Sequence, residues 1–117
     1  MESDPVVVAL RGQLDVDSAP DLYATVDALR KRAVHRVVVD LGGLTFCDSV
    51  GLSSFVIAHK YCTETGGYLR LAAPAPFLAK ALSVVGVAGV IPVYRTVDGA
   101  RTGDREELVA HPQPGLS

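Results

Sequence analysis

Ser49 is the side chain in this sequence best placed to do chemistry. It follows the aliphatic run Val37-Val38-Val39 with Leu41 and a short connection through Leu44, Thr45 and Phe46. It then opens a segment of helical pattern that runs to about Thr65. A hydroxyl at a helix start lies among backbone N–H groups that have no intrahelical acceptor, at the positive end of the helix dipole. That setting stabilises a phosphoryl group carried on the side chain better than a mid-helix position does. The plainer role for Asp48 or Ser49 is that of a helix N-cap. Asp15, in a turn after the first strand, supplies a second carboxylate to the same end if the loop ends converge.

Other chemistries find fewer parts. A hydrolase needs a nucleophile, a base and an orienter. The Gly-x-Ser-x-Gly pattern is absent, with Cys47 where its first glycine belongs. His35 precedes a strand, His59 lies about two turns beyond Ser49 on the same helix, and His111 falls near the chain end. Gly42-Gly43 has no following lysine, so no phosphate-binding P-loop is formed. Cys47 and Cys62 stand far apart without a histidine cluster and indicate neither a zinc site nor a disulfide framework. Nothing basic flanks Cys47 to activate it, so it reads as a small apolar filler. No cofactor or metal is expected.

The elements that must position Ser49 follow a repeating order. Val6–Leu10, bounded by Pro5 and Gly12, reads as a buried strand. Ser18-Ala19-Pro20-Asp21 starts a helix with Ser18 as N-cap, and Leu22, Val26, Leu29 and Ala33 recur at helical spacing. The strand at Val37–Leu41 ends at Gly42-Gly43, and its unbroken aliphatic run implies burial on both faces. Gly66-Gly67 stops the Ser49 helix, and Tyr68–Leu71 forms the next strand. Phe77, Leu78, Ala81, Leu82 and Val85 give a further helix an apolar face that closes at Gly86. Val90–Tyr94 is a last strand, placed at a sheet edge because Pro92 cannot donate to a ladder. The order β-α-β-α-β-α-β demands a mostly parallel four- to five-stranded sheet with helices packed on it, an α/β fold. Beyond Asp98, Gly99 and Gly103 weaken any helix, and residues 111–117 read as a flexible tail after a single domain at 1–110.

At about 100° per residue, Leu52, Phe55, Val56 and His59 fall on one side of the Ser49 helix. Val50, Ser54, Ile57 and Tyr61 fall nearly opposite. One side must cover the sheet, which leaves the other as an apolar strip beside Ser49, either docking a partner or covered by the C-terminal segment. Val50, Ser54, Ile57 and Tyr61 are therefore candidate partner-binding residues.

Composition narrows the partners. The 117 residues are 49% apolar and 21% charged, an ordinary globular balance, and the net charge of −2 leaves no electrostatic footprint for nucleic acid or anionic lipid. No apolar run approaches the roughly 18 residues of a membrane span, and the N-terminus does not open as a signal peptide.

Two stretches resemble a known family. Gly12-Gln13-Leu14-Asp15 followed by Ser18-Ala19-Pro20, and Phe46-Cys47-Asp48-Ser49-Val50-Gly51-Leu52, are similar to the STAS-domain bacterial anti-sigma factor antagonists. The likeness extends over roughly residues 6–98, including the Gly66-Gly67 turn and Val85-Gly86-Val87 at the end of the late helix. It implies a STAS-like fold and a cytoplasmic partner switch without enzymatic activity. The unphosphorylated antagonist would bind an anti-sigma factor serine kinase and free a sigma factor. Phosphorylation would break that complex, and a serine phosphatase would reset it. The resemblance maps the acceptor onto Ser49 and the neighbouring acids onto Asp48 and Asp15. Val50 stands where relatives commonly carry serine or threonine. Ser53 replaces a glycine and adds a side chain where a kinase helix approaches. Only about ten residues precede the Gly-x-Leu-Asp turn, so an edge strand that many relatives carry is expected to be missing. STAS domains also occur in stress-sensing complexes and transporter tails. The alternative reading is therefore a scaffold, or a nucleotide- or lipid-binding module, without a phosphoswitch.

Overall fold

The computed structural model describes residues 4–110, so the segment 111–117 expected to form a tail lies outside the described residues. The chain runs β1 (Val6–Leu14), α1 (Ala19–Lys31), β2 (Arg36–Cys47), α2 (Ser49–Thr63), β3 (Tyr68–Ala72), α3 (Pro76–Val84), β4 (Val93–Tyr94), α4 (Val97–Thr102) and β5 (Leu108–Ala110). The strands form one five-stranded sheet in sequence order, with β1 to β4 parallel and β5 antiparallel to β4. This is the mostly parallel α/β sheet that the alternation of strand and helix patterns requires.

Strand periodicity divides the core in two. Val37, Val39 and Leu41 of β2 and Leu69 and Leu71 of β3 face Leu22 and Val26 of α1, Leu52 and Phe55 of α2, and Leu78 and Leu82 of α3. On the opposite face Val38 and Ala72 pack with Tyr94 and with Ala100 of α4. Covered on both sides, β2 has no polar alternation, which explains its continuous aliphatic run. Arg70 points to the second face. Its guanidinium stacks 3.8 Å from the Tyr68 ring centroid and donates to the Ala100 carbonyl at 2.8 Å, tying α4 to the sheet.

Three expectations are corrected. Gly42-Gly43 does not end β2. The strand continues to Cys47 through a bulge, where the β1–β2 register slips between Ala9/Asp40 and Arg11/Gly43. A Cβ on Gly43 would lie 2.8 Å from the Leu10 carbonyl oxygen, so glycine permits this close approach rather than a chain reversal. The last parallel strand is not at an edge: β4 is only Val93–Tyr94, and β5 pairs along its far side. Pro92 stands just before β4, and its carbonyl accepts from the Leu71 N–H at 3.0 Å. The missing proline donor thus falls outside the ladder. Ser18 precedes α1 but does not cap it with its side chain. Its hydroxyl instead accepts from the Asp15 N–H at 2.9 Å and lies 3.0 Å from the Gln13 carbonyl. The residues beyond Asp98, where the pattern fades, hold the short α4 and β5.

Candidate functional site

Leu14 and Cys47 form the last register pair of the β1–β2 ladder. Asp15 and Asp48 each follow directly, so the two loop ends converge at the carboxyl end of the sheet. The Asp48 N–H donates to the Leu14 carbonyl at 3.2 Å and joins them. Asp48 is the N-cap of α2: its backbone is extended, and its carboxylate accepts from the Gly51 N–H at 2.8 Å. Ser49 is the first residue of the helix and is exposed. The cap therefore belongs to Asp48 and leaves the Ser49 hydroxyl outside that role.

Gly51 sets how closely this helix start approaches β1. A Cβ there would lie 2.4 Å from the Leu14 carbonyl oxygen and 2.9 Å from Cys47 Sγ. Any larger residue would push Ser49 away from the β1 end. Asp15 shapes the facing loop. Its Oδ1 accepts from the N–H groups of Asp17 and Ser18 at 3.0 and 3.1 Å, an Asx turn that leaves one carboxylate oxygen for other contacts.

The candidate partner residues separate by position. Val50 and Ile57 are exposed, each about 40%, and Ser53 is exposed between them. Ser54 is fully buried, and its hydroxyl donates to the Gly51 carbonyl at 2.6 Å, so it offers no contact surface. Tyr61 is half-buried on the flank that meets α1. There it packs edge-on against Tyr23 with centroids 6.5 Å apart, and the Arg30 guanidinium lies 5.5 Å from its ring. The two opposite faces expected on α2 are therefore not the real division. Leu52, Phe55, Ala58 and Cys62 face the sheet, Ser54 is buried too, and Val56, expected to face the sheet, is exposed.

Val56 helps line a groove of about 430 Å³ that opens beside Ser49. Leu52, Ser53, Val56 and Ile57 form one wall, and Val85, Val87 and Val90 beyond α3 form the other. Val85, Val87 and Val90 are site residues that sequence reasoning missed. The aliphatics around Gly86 read as the end of an amphipathic helix, and the family resemblance at Val85-Gly86-Val87 did not place them beside Ser49. Because α3 stops at Val84 and Gly86 takes a left-handed conformation, the chain turns and presents these valines toward α2.

The other reactive types are quiet. Burial, reinforced by the Asp48 carboxylate, pushes the Cys47 thiol up to about 11. Burial lowers the His59 pKa, against a hydrogen bond with the Leu69 backbone that raises it, and His59 Nδ1 is buried without a partner. The unbroken helix separates Ser49 and His59 by roughly 15 Å along its axis at about 1.5 Å per residue, so these two do not form a nucleophile–base pair. Among the described residues no group of three His, Cys, Asp or Glu side chains is placed to hold a metal, and no helix is long and apolar enough to cross a membrane.

A mostly parallel five-stranded sheet with helices packed on it, and α2 starting at the end of its second strand, is the fold this chain shares with solved STAS domains. The family model described as "Mlab, STAS domain" matches residues 1–93, and the chain belongs to the STAS domain family. An anti-sigma F factor antagonist from Paenibacillus polymyxa is 27% identical over 90 residues, which cover 76% of this chain and 77% of that protein. Among solved structures, a Thermotoga maritima protein superposes with a TM-score of 0.75 at 21% identity, covering 88% of this chain and 93% of that one. A sulfate transporter family protein from Wolinella succinogenes also reaches 0.75, at 17% identity over 87% and 88% of the two chains. The fold is thus shared across different biological settings, and the role has to be argued from the site.

Proposed function

We propose that this chain is an anti-sigma factor antagonist that works as a phosphorylation-controlled partner switch, with residues 1–110 as its single STAS domain. Unmodified, it binds an anti-sigma factor serine kinase in the cytoplasm through Ser49 and the adjoining groove, and a sigma factor is released. The kinase then modifies Ser49. The serine oxygen forms a bond to the γ-phosphorus of ATP, the bond to ADP breaks, and the hydroxyl proton leaves to a base of the kinase. A serine phosphatase reverses the change by hydrolysis. The chain itself acts as a binding protein, not an enzyme.

The observation that carries this reading is the exposed Ser49 hydroxyl at the mouth of an apolar groove, next to the Asp48 carboxylate. Phosphorylation adds about −1.5 to −2 charges there. Docking would have to desolvate that charge beside a like charge, and about 3–4 kcal/mol lost from binding is two to three decades in Kd. The antagonist relative from Paenibacillus polymyxa supports the general role.

The test uses a purified anti-sigma factor kinase from the same host with magnesium and ATP. The wild-type chain should gain one phosphoryl group by intact mass, mapped to Ser49, and Ser49→Ala should gain none. Ser49→Ala should retain kinase binding, while Ser49→Asp should bind at least about tenfold more weakly. Equal affinities for the two variants, or phosphorylation elsewhere, would sink the proposal. The groove favours one second reading, a module that binds a small apolar ligand, since its volume lies in the range of such sites. In that case thermal stabilisation by the ligand would persist in Ser49→Asp and be lost in Ile57→Lys.

A further inference from the structure

We propose that two copies of this chain pair through the free edge of β1 to form a symmetric dimer with a continuous sheet, independently of the phosphoswitch. In the sheet order β1 is terminal. It pairs with β2 on one side, with Leu10 at a register slip, and no strand lies on the other among the described residues. Edge strands are normally blunted by charge, brevity or bulges. Here Val6–Leu10 carries no charge, and the register irregularities begin only beyond Ala9.

The side chains at this edge are incompletely covered. Val8 and Leu10 pack on the main core yet remain partly exposed, and Val7 on the other face is 39% exposed. A cleft of about 230 Å³ runs between β1 and α1, lined by Val8, Leu10, Asp21, Leu22 and Thr25 among others. A neighbouring strand would place its own side chains along that cleft.

A second copy fits this edge for two reasons. Antiparallel pairing about a two-fold axis at Val8 sets Val6 opposite the partner's Leu10, Val7 opposite the partner's Ala9, and Val8 opposite its own mate. Every cross-strand pair is then apolar on both faces. The second reason is charge. Asp21 and Thr25 face the edge, and helical spacing continues their row through exposed Ala28 to exposed Arg32 at the end of α1. The opposite flank, with Tyr23 and Arg30, is occupied by Tyr61 of α2. The same two-fold runs the two α1 helices antiparallel across the seam. It turns the Asp21 end of one toward the Arg32 end of the other, with only small residues between.

Sedimentation velocity of the full chain over a concentration series, from about 1 to about 300 μM, tests this by mass action. The wild type should shift from monomer to dimer. Val7→Lys combined with Ala9→Lys places like charges opposite each other at exposed positions and should weaken the dimer at least about tenfold, without lowering the Tm of the monomer at about 1 μM. Asp21→Arg should weaken it, and adding Arg32→Asp should restore it. That charge-swap rescue separates a lost interface from a damaged fold. A wild type that stays monomeric throughout, or a dimer indifferent to both the lysine pair and Asp21→Arg, overturns the proposal. Neither result bears on phosphorylation of Ser49, which is read by mass.

Discussion

Cys47 sits two residues from Ser49 and has the more nucleophilic side chain, yet the fold silences it. Burial, and secondarily the Asp48 carboxylate, hold its thiol near 11 from an ordinary 9.0, and burial alone does the same for Cys62. A thiol raised in the folded state keeps its contribution to stability below pH 9 and loses it as pH climbs through about 11. The native protein should therefore resist iodoacetamide at about pH 8 while the urea-unfolded chain reacts readily. The urea midpoint should fall between about pH 8.5 and 10.5, and less so in a Cys47→Ala, Cys62→Ala double variant. Rapid native alkylation of Cys47 at neutral pH would contradict the burial argument. The silence of this thiol could be read from the sequence, since no basic residue lies near it. A cap at this helix start was legible as well, but only as Asp48 or Ser49; the Gly51 N–H donating to the Asp48 carboxylate decides it. The tight seat of Gly51 against Leu14 was not, because it depends on a contact between residues far apart in the chain.

At the scale of elements, α2 shows where a helical wheel fails. The helix is flanked by α1 on one side and by the turn beyond α3 on the other, so its buried sector is wide and includes Gly51, Leu52, Ser54, Phe55, Ala58 and Cys62. Small residues dominate that sector because the neighbouring elements approach closely. Hydropathy assigns Ser54 to the wet side, but its hydroxyl is satisfied by its own helix at the Gly51 carbonyl, which lets it be buried. Ser54→Asp should then cost about 3 kcal/mol or more, because it buries an unpaired carboxylate. Ile57→Lys, on the exposed wall of the groove, should change stability by about 1 kcal/mol or less while abolishing docking. Chemical denaturation together with binding to the anti-sigma factor would read both. If Ile57→Lys melts the domain and Ser54→Asp does not, the burial assigned to α2 is reversed. The strand–helix alternation was legible from spacing alone. The split of α2 into sheet, α1 and groove sectors was not, because its neighbours come from distant parts of the chain.

At the scale of the molecule, the sheet is held by two cores of unequal size, and its stability should be correspondingly uneven. The large core locks α1, α2 and α3 onto β1 to β4, with β2 buried on both faces. The small core is Val38, Ala72, Tyr94 and Ala100, closed by a six-residue helix and a three-residue strand. Elements this short leave little periodicity to read, which is why β5 escapes the sequence and β4 is misplaced at an edge. Short elements over a small core also open together, below the cost of global unfolding. Native-state hydrogen exchange should therefore show amides of Val37–Leu41 exchanging only through global unfolding. Amides that depend on the closing segment should exchange through openings at least about 2 kcal/mol cheaper. Two are diagnostic: the Arg95 N–H, bonded to the Glu107 carbonyl at 2.7 Å, and the Asp104 N–H, bonded to the Gly99 carbonyl at 2.9 Å. Arg70→Ala, which removes the tie to Ala100, should lower these opening energies further and leave the β2 amides following only the change in global stability. Equal protection across both sets would mean that the small core unfolds with the large one, and that the sheet is a single cooperative unit to its far edge.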